Sequence, residues 1–295
     1  MSSSAVQGPR AMVGRARLIT GLGAALALAV SAPSLSARQQ TTTSGQQRPF
    51  EPTVGMPGKD AVWVPTEAAV VEKMLDVAKV TAQDFVVDLG SGDGRTVIAA
   101  AKRGAKGVGF EYNPDLVELS RKLAQQTGVA DKATFVQGDM YEAEFSNATV
   151  LALFLLPSNL EKLKDKILAL KPGSRVVLNT FTIFGWEPDE RYQVGGTCTT
   201  WCEVLLHIVP AQVAGTWRGE GLQLDLSQSF QKVLGTVTTS GVAKVIERGQ
   251  LRAEQLTFAA GDASYTGRVE GDRLTLTATT AVPADRRTWT VTRAR

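Results

Sequence analysis

The sequence predicts an α/β fold: a Rossmann-like, doubly wound and mostly parallel sheet, followed by a small C-terminal antiparallel β domain. Apolar runs alternate with helix-forming segments from Phe85 to residue 209, an order typical of a parallel sheet with helices on both faces. The first repeat, FVVDLGSGDGR at residues 85–95, has the strand, glycine turn and helix that bring backbone N–H groups to a ligand. After Pro210, leucines alternate with polar residues, which indicates strands.

The individual elements follow from the periodicity and from the residues that begin and end helices. We predict strands at residues 85–89, 107–111, 133–138, 149–156, 174–183 and 202–209, and helices at residues 66–79, 93–103, 114–127 and 158–170. The predicted N-terminal caps are Thr66, Asn113 and Ser158, the last in a capping box with Glu161. A seventh strand is not evident. Residues 184–201 are predicted as a loop that either covers a ligand site or only connects two strands.

The chain divides into four segments. Residues 1–37 combine arginines, the apolar run Leu18–Val30 and small residues, which predicts a signal peptide cleaved after Ala37, or an N-terminal anchor. An organelle presequence is the other alternative. The protein is therefore expected to be exported, as a periplasmic or secreted protein, or to be membrane-anchored by its N-terminus. The remaining segments are a disordered linker at residues 38–60, the main domain at residues 61–210 and a small all-β domain of unknown function, a meander or a small barrel, at residues 211–295.

The charge of the chain argues against a nucleic-acid partner. The formal net charge is +3, but three of the 32 basic residues are arginines in the first 37 residues, which contain no acid. The rest of the chain has 29 basic and 29 acidic residues and is neutral. Because nucleic-acid binding needs clustered excess basic residues, we predict no nucleic-acid partner.

Acidic residues mark three successive predicted strands. Asp88 lies in the first strand beside the glycine turn, Glu111 ends the second strand 21 residues after Gly90, and Asp139 follows the third. The carboxyl ends of parallel strands share one edge, where open α/β sheets bind ligands. Asp88 suits a cationic or amine-bearing ligand better than a pyrophosphate, and Glu111 has the spacing of a carboxylate that accepts both hydroxyls of a ribose. The three acids together predict one ligand site.

The segments VDLGSGDGR, GFEYNP and FVQGDM resemble the seven-β-strand (class I) S-adenosylmethionine (SAM) methyltransferases. WVPT at residues 63–66 and FLLP at residues 154–157 are similar to a smaller group, the protein-lysine methyltransferases related to the ATP synthase c-subunit lysine methyltransferase. The resemblance covers residues 60–210. It implies a protein substrate, N-methylated on a lysine by direct in-line transfer, and membrane contact only through the N-terminal segment if that is not cleaved. It also implies SAM as the cofactor, bound by Asp88, Gly90, Ser91, Gly92, Asp93, Glu111, Asp139 and Met140.

In methyltransferases of this class the end of the fourth strand faces the methyl acceptor. Here that end is Phe154-Leu155-Leu156-Pro157, and Phe154 with Trp63 and Tyr112 could line an aromatic channel for a lysine side chain. The candidate acceptor-site residues are therefore Phe154, Pro157, Trp63 and Tyr112, and no catalytic residue is assigned. Phe154 alone is also explained as a buried strand residue. The alternative function is a non-catalytic SAM-binding sensor or scaffold with a β-rich interaction domain.

The two cysteines and the single histidine do not predict a catalytic or metal site. Cys198 and Cys202 can form a disulfide if the chain turns tightly between them, but on a straight strand they would lie ~13 Å apart and could not bond. A metal site made of these cysteines and His207 is one ligand short, so no metal ion is predicted. His207 lies in an apolar strand, which favours a core residue over a catalytic base.

Overall fold

The computed structural model describes residues 50–280 and 286–294, so the predicted signal peptide at residues 1–37 lies outside the described residues. Within these ranges, no helix is both long and apolar enough to cross a membrane. The first part of the fold has helices α1 (Ala68–Val77), α2 (Arg95–Lys102), α3 (Pro114–Gln126) and α4 (Pro157–Leu168). Its strands are β1 (Phe85–Leu89), β2 (Lys106–Glu111), β3 (Ala133–Gln137), β4 (Val150–Leu153), β5 (Arg175–Asn179), β6 (Glu190–Gln193) and β7 (Glu203–Ile208).

These strands form one seven-stranded sheet in the order β3-β2-β1-β4-β5-β7-β6. The first five in this order are parallel, whereas β7 runs antiparallel to β5 and β6 antiparallel to β7. Successive side chains of β4 alternate between two cores: Val150 and Ala152 pack with residues of α1, and Leu151 and Leu153 with residues of α4. Both faces of the sheet are thus covered, which confirms the predicted doubly wound architecture and explains why its central strands are apolar throughout.

The helix starts differ in part from the sequence predictions. α1 and α4 begin without a side-chain cap, so the capping roles predicted for Thr66 and Ser158 are wrong. α4 begins instead at Pro157, whose fixed φ suits a first turn and whose missing N–H needs no partner there. Asn113 is confirmed as the cap of α3, since its side chain accepts a hydrogen bond from the backbone N–H of Asp115 at 2.9 Å.

Residues 184–201 contain a strand that the sequence does not predict. β6 pairs with β7, with Tyr192 opposite Val204, and forms one edge of the sheet. Its sequence, Glu-Arg-Tyr-Gln, is polar and largely exposed, so no alternation of apolar residues marks it as a strand. The predicted strand at residues 174–183 ends early, at Asn179, because Thr180 takes a positive φ of 62° that breaks the extended backbone.

A second sheet of antiparallel strands occupies the C-terminal part of the chain. Its strands are β8 (Gly215–Gly219), β9 (Leu222–Ser229), β10 (Lys232–Thr239), β11 (Val242–Val245), β12 (Glu247–Arg252), β13 (Gln255–Ala260), β14 (Ala263–Glu270), β15 (Arg273–Thr280) and β16 (Arg287–Arg293). β16 pairs with β8 and β9 pairs with β10, so the sheet closes on itself, while β11 adds to β10. Trp217, Leu224 and Leu276 are fully buried in its core. The antiparallel β region predicted from the alternating leucines is confirmed.

Trp186, which is 1% exposed, makes one of the contacts between the two sheets. Its ring stacks on Phe230 with the ring centroids 5.4 Å apart. Beside it, the side-chain amide of Gln231 donates to the backbone carbonyl of Glu187 at 2.7 Å. β8 pairs with β16 and β9 and does not extend the first sheet, whose edge is β6. The second sheet therefore joins the first through side chains rather than through a shared strand ladder.

Asp84, immediately before β1, joins several elements of the first sheet. Its carboxylate accepts hydrogen bonds from the Thr149 hydroxyl and the Thr81 backbone N–H, both at 2.8 Å, and pairs with Arg175 at the start of β5. Arg175 also donates to the carbonyl of Ala78, which follows α1, at 2.8 Å. Because Asp84 is 7% exposed, these bonds are shielded from water. They fix the positions of α1 and of the starts of β1 and β5. The direction of β1 is fixed with them, and so is the position of its C-terminal end.

We expect Asp84→Ala to lower the free energy of unfolding by about 2–4 kcal/mol at pH 7, because it leaves Arg175 without its partner. Burial acts to raise the pKa of Asp84, but the hydrogen bonds from Arg175, Thr81 and Thr149 outweigh it and leave the pKa lowered. The stabilisation is therefore present above the unfolded pKa of about 4 and is lost as the pH falls through the lower folded pKa. Urea unfolding at pH 7 and pH 3 measures the difference.

The control for this experiment is Asp165→Ala, on the exposed face of α4, which should change the free energy of unfolding by no more than about 0.5 kcal/mol. A loss in Asp84→Ala that is as large at pH 3 as at pH 7 would show that the carboxylate charge is not the stabilising feature.

A chain truncated to residues 49–210 is expected to stay folded, because every strand of the first sheet lies within it. Loss of Phe230 uncovers one face of Trp186, so the free energy of unfolding should fall by about 2–3 kcal/mol, as measured by urea unfolding. Phe230→Ala in the full chain is the matched variant and should cost a similar amount. An insoluble or non-cooperative truncated chain would contradict the domain boundary predicted at residue 210.

Candidate functional site

The carboxyl ends of β1, β2, β3 and β4 surround a cavity. The parallel register brings them together, since Asp88 lies opposite Gly109, and Gly107 on the same strand lies opposite Ala133 of β3. Most of the site residues predicted from the sequence line this cavity: Asp88, Gly90, Ser91, Gly92, Asp93, Glu111, Asp139, Met140, Trp63, Tyr112 and Phe154. Residues scattered over a long stretch of sequence therefore meet at one edge of the sheet.

Asp88 is deeply buried, with 5% of its surface exposed. Burial raises the pKa of Asp88 to about 8; the hydrogen bond from Thr96 opposes this shift, and the negative charges of Glu111 and Asp93 add to it. At pH 7 the carboxyl group is therefore mostly protonated in the protein alone. A cation placed beside Asp88 would favour the carboxylate, so this position suits a ligand with a positive charge.

Glu111, at the end of β2, holds the glycine turn in place. One carboxylate oxygen accepts a hydrogen bond from the backbone N–H of Gly92 at 2.9 Å, and the other accepts one from Asn113 at 2.8 Å. Each oxygen retains a second lone pair. Glu111 can therefore accept two further hydrogen bonds, which suits a ligand with adjacent hydroxyl groups.

The glycine turn packs closely against Trp63 and places an unpaired polar group at the cavity. Gly92 has a φ of 55°, and a Cβ at this position would lie 2.6 Å from the indole nitrogen of Trp63. The hydroxyl of Ser91 is buried and has no hydrogen-bond partner among the described residues. A buried hydroxyl without a partner is costly, so a bound ligand that pairs with Ser91 would be stabilised here.

Asp139 pairs with Lys59, a residue that the sequence does not predict at the site. The hydrogen bond from Lys59 holds the pKa of Asp139 below its usual value. The ammonium of Lys59 also lies 5.4 Å from the ring centroid of Tyr112 and 5.9 Å from that of Tyr141. A ligand that donates a hydrogen bond to Asp139 must therefore displace Lys59 or share the carboxylate with it.

This lysine belongs to a segment, residues 55–66, that we call the strap and that closes one side of the cavity. The backbone N–H of Gly55 donates to the carbonyl of Trp63 at 2.9 Å, and that of Trp63 donates to Met56 at 2.8 Å. The C-terminal end of the predicted linker therefore has defined backbone contacts, whereas residues 38–49 of it lie outside the described residues. The sequence of residues 55–60 has no periodicity, and the arrangement of these residues comes from these hydrogen bonds and from contacts across the cavity.

The end of β4 forms the apolar part of the lining, through Phe154 and Leu155. Phe154 has aromatic neighbours that the sequence does not predict, Phe181 at 6.0 Å and Trp201 at 5.7 Å between ring centroids. Both come from loops distant in sequence, so local patterns do not reveal them. Pro157, a predicted acceptor-site residue, is not among the lining residues: it is exposed at the start of α4, because the chain leaves the cavity after Leu155 and turns into the helix.

The two cysteines and the single histidine lie outside the cavity lining. Cys198 and Cys202 form a disulfide, because the chain turns between them with a φ of 55° at Trp201 and brings their Cα atoms to 5.8 Å. His207 is fully buried, burial lowers its pKa to about 4, and its Nε2 lies 3.1 Å from the hydroxyl of Thr182. The prediction of a core histidine is confirmed. In the part of the chain that the structure describes, no group of three or more acidic, cysteine or histidine side chains could hold a metal ion.

The cavity thus combines an acidic half with an apolar half. The acids at the ends of β1, β2 and β3 suit a ligand that bears a positive charge, adjacent hydroxyls and a further hydrogen-bond donor. The pyrophosphate of a dinucleotide would be repelled by the same carboxylates. The apolar wall at the end of β4 lines the same cavity through Phe154 and Leu155.

Comparison with known proteins gives consistent matches. A family model described as the ANTKMT methyltransferase domain matches residues 88–190. A protein-lysine N-methyltransferase of Saccharolobus islandicus is 44% identical over 135 residues, which are 45% of this chain and 84% of that protein. The ATP synthase c-subunit lysine N-methyltransferase of Homo sapiens is 34% identical over 171 residues, 57% of this chain and 68% of that protein. The chain spans about half the length of the mouse, frog and rat proteins of the same name.

Among solved structures, an RNA methyltransferase from Salinibacter ruber in complex with S-adenosyl-L-homocysteine is 44% identical. The match covers 51% of this chain and 96% of that one, with a TM-score of 0.48. The residues matched by the family model include the acids Asp88, Glu111 and Asp139, and Phe154 on the apolar wall. The chain therefore belongs to the protein-lysine N-methyltransferase family, and its cofactor is S-adenosylmethionine.

Proposed function

We propose that this protein methylates the Nε atom of lysine side chains in other proteins, with SAM as the methyl donor. The observation that carries the proposal is that one cavity joins the acids of β1, β2 and β3 to an uncharged aromatic wall at the end of β4. The names of the archaeal and human relatives support a lysine acceptor. The equal numbers of basic and acidic residues after position 37, 29 of each, support a protein rather than a nucleic-acid substrate.

The acidic half of the cavity fits SAM in one orientation. Asp88 would pair with the charged amino-acid part, Glu111 would accept hydrogen bonds from both ribose hydroxyls, and Asp139 would accept one from the adenine amino group. The buried hydroxyl of Ser91 in the glycine turn would pair with the ligand, and Lys59 would move away from Asp139 or share it. When bound, SAM supplies a methyl group on a positively charged sulfur atom.

Direct transfer requires a neutral lysine amine held in line with that methyl group. The lysine ammonium would first lose its proton to water. The neutral amine would then form the new N–C bond as the C–S bond breaks, with the bonding electron pair staying on the sulfur of S-adenosylhomocysteine, and the product would be a methylated ammonium. Phe154 and Leu155 form an apolar wall beside which an ammonium group loses hydration, which lowers the pKa of the incoming lysine and favours its neutral form. Trp63 and Tyr112 present aromatic surfaces to its aliphatic stem. The protein positions and dehydrates the lysine amine, and it forms no covalent bond with either reactant.

The affinity for SAM is expected to rise about tenfold per pH unit between pH 6 and pH 8 and to level off above pH 8. The reason is that Asp88, whose pKa is raised to about 8 by burial, must lose its proton to pair with a cation. Because the pKa of Asp88 is lower in the complex, binding below pH 8 releases a proton. Isothermal titration calorimetry in two buffers of different ionisation enthalpy measures both the affinity and the proton released.

Asp88→Asn keeps the shape of the side chain but cannot ionise. It should weaken SAM binding at pH 8 by about 1.5–3 kcal/mol and should remove the rise in affinity with pH. Asp115→Asn, at an exposed position in the first turn of α3, is the matched control and should behave like the unmodified protein. An affinity of the unmodified protein that does not change between pH 6 and pH 8 would contradict this role of Asp88.

Methyl transfer is tested with purified protein, SAM carrying an isotopically labelled methyl group, and a cell lysate. We expect label on the Nε atom of lysines in one or more proteins, located by mass spectrometry. Phe154→Ala should reduce the transfer rate at least about tenfold while SAM affinity stays within about threefold, because Phe154 lies on the acceptor side. A chiral methyl group should arrive with inverted configuration, as in-line displacement requires.

Other outcomes of this assay would favour other functions. SAM binding without transfer to any protein would favour the non-catalytic sensor or scaffold. Label recovered in the RNA fraction, and not in protein, would contradict a protein acceptor.

A further inference from the structure

Phe154 belongs to an aromatic cluster on the acceptor side of the cavity. Phe181, which follows β5, stacks parallel to Phe154 at 6.0 Å, and Trp201 lies tilted by 56° at 5.7 Å. Phe154 lines the cavity, whereas Trp201 lies beside it outside the lining. With 41% of its surface exposed, Trp201 is open to a second molecule that approaches the cavity from this side.

The backbone of Trp201 has an unfavourable conformation. Its φ of 55° falls in the left-handed region, which bulky residues rarely adopt. The disulfide between Cys198 and Cys202 closes the loop that carries it, and the backbone N–H of Val194 donates to the carbonyl of Cys202 at 2.7 Å. Both constraints anchor the loop between β6 and β7, so Trp201 is held beside Phe154 despite the strain.

The backbone conformation does not favour a tryptophan at this position, because glycine would adopt it without strain. The contact of the ring with Phe154 offsets part of this strain, yet 41% of the Trp201 surface stays exposed. A strained backbone conformation persists only where the surrounding contacts hold the residue in place. Such residues are concentrated at functional sites. The combination of strain, an exposed large ring and a disulfide beside the cavity points to a role in binding.

We propose that Trp201 determines which lysines the protein accepts, by contacting the lysine stem and the apolar residues next to it in the acceptor chain. The inference rests on the proposed function, because it identifies the acceptor class of the same site. An indole ring attracts cationic groups through its face and also packs against aliphatic groups. Leu156 and Phe184, which are 42% and 90% exposed, follow Phe154 and Phe181 closely in sequence and add to the exposed apolar surface. A lysine flanked by apolar residues fits this chemistry.

The test compares four variants of the full chain with the unmodified protein. Trp201→Gly removes the ring and suits the positive φ, Trp201→Phe keeps an aromatic ring, and the double change Cys198→Ser with Cys202→Ser removes the disulfide. Tyr192→Ala is the matched control, an exposed aromatic residue on β6 whose ring faces Lys73 instead of Phe154. For each variant, SAM affinity is measured by calorimetry, and transfer of labelled methyl groups is measured over a dilution series of one cell lysate.

Trp201→Gly should bind SAM as well as the unmodified protein, because the ring lies outside the cavity lining, and it should stay folded, because glycine adopts the positive φ without strain. The lysate concentration that gives half-maximal transfer should rise roughly tenfold with the maximal rate unchanged, as expected for a lost aromatic contact to the acceptor. Mass spectrometry should locate the greatest loss at lysines with apolar neighbours. The double serine variant should behave like Trp201→Gly, whereas Trp201→Phe and Tyr192→Ala should stay close to the unmodified protein.

Each contrary result has a definite meaning. If Trp201→Gly modifies the same lysines at the same rates, or if Tyr192→Ala loses as much, the role of Trp201 in specificity is refuted. If Trp201→Gly loses methyl transfer but the double serine variant transfers methyl groups at the rate of the unmodified protein, the disulfide is not needed to hold Trp201. The role given to the disulfide is then refuted. If the unmodified protein binds SAM and transfers no methyl group to protein, the proposed function fails, and this inference fails with it.

Discussion

The parallel pairing of β1 with β2 and β4 is the constraint on which the site depends. Parallel strands end at the same edge, so Asp88 and Glu111 meet there although 23 positions separate them, and Phe154 joins them from the opposite neighbour of β1. A slip of one residue in this register would turn Asp88 to the other face of the sheet. The bonds of Asp84 before β1 act against such a slip, since they tie the start of the strand to its neighbours.

The carboxyl groups of the cavity have different hydrogen-bond and charge partners, and these differences indicate different roles. The charge of Asp139 is balanced by Lys59, and the oxygens of Glu111 each accept a backbone hydrogen bond. Asp88 is buried, receives a hydrogen bond from Thr96 and faces the negative charges of Glu111 and Asp93, and together these leave its pKa raised. Of these carboxyl groups it therefore gains most from a positively charged ligand, and the protein alone holds it as a neutral acid until such a ligand binds.

Local sequence patterns were sufficient for the parallel sheet, the helices between its strands, the cap at Asn113 and the acids around the cavity, because each leaves a signal within a few residues. The rest depends on contacts between distant parts of the chain. Lys59 reaches Asp139 across 80 positions from a stretch without periodicity. Trp201 reaches Phe154 only because a disulfide turns its loop, and spacing alone left that disulfide undecided. The strand β6 escaped prediction because an exposed edge strand needs no apolar face.

The second sheet supports the strand next to the loop of Trp201 rather than the lining of the cavity. It contacts Trp186 through Phe230, and Trp186 packs in turn on His207 of β7 at 4.7 Å between ring centroids. Because burial lowers the pKa of His207 to about 4, this contact stays uncharged at neutral pH. β7 begins at Glu203, directly after the disulfide loop that carries Trp201. The lining of the cofactor cavity, in contrast, lies entirely between residues 56 and 155. The closed sheet thus supports the strand that follows the loop of Trp201, while the cavity lining is built without it.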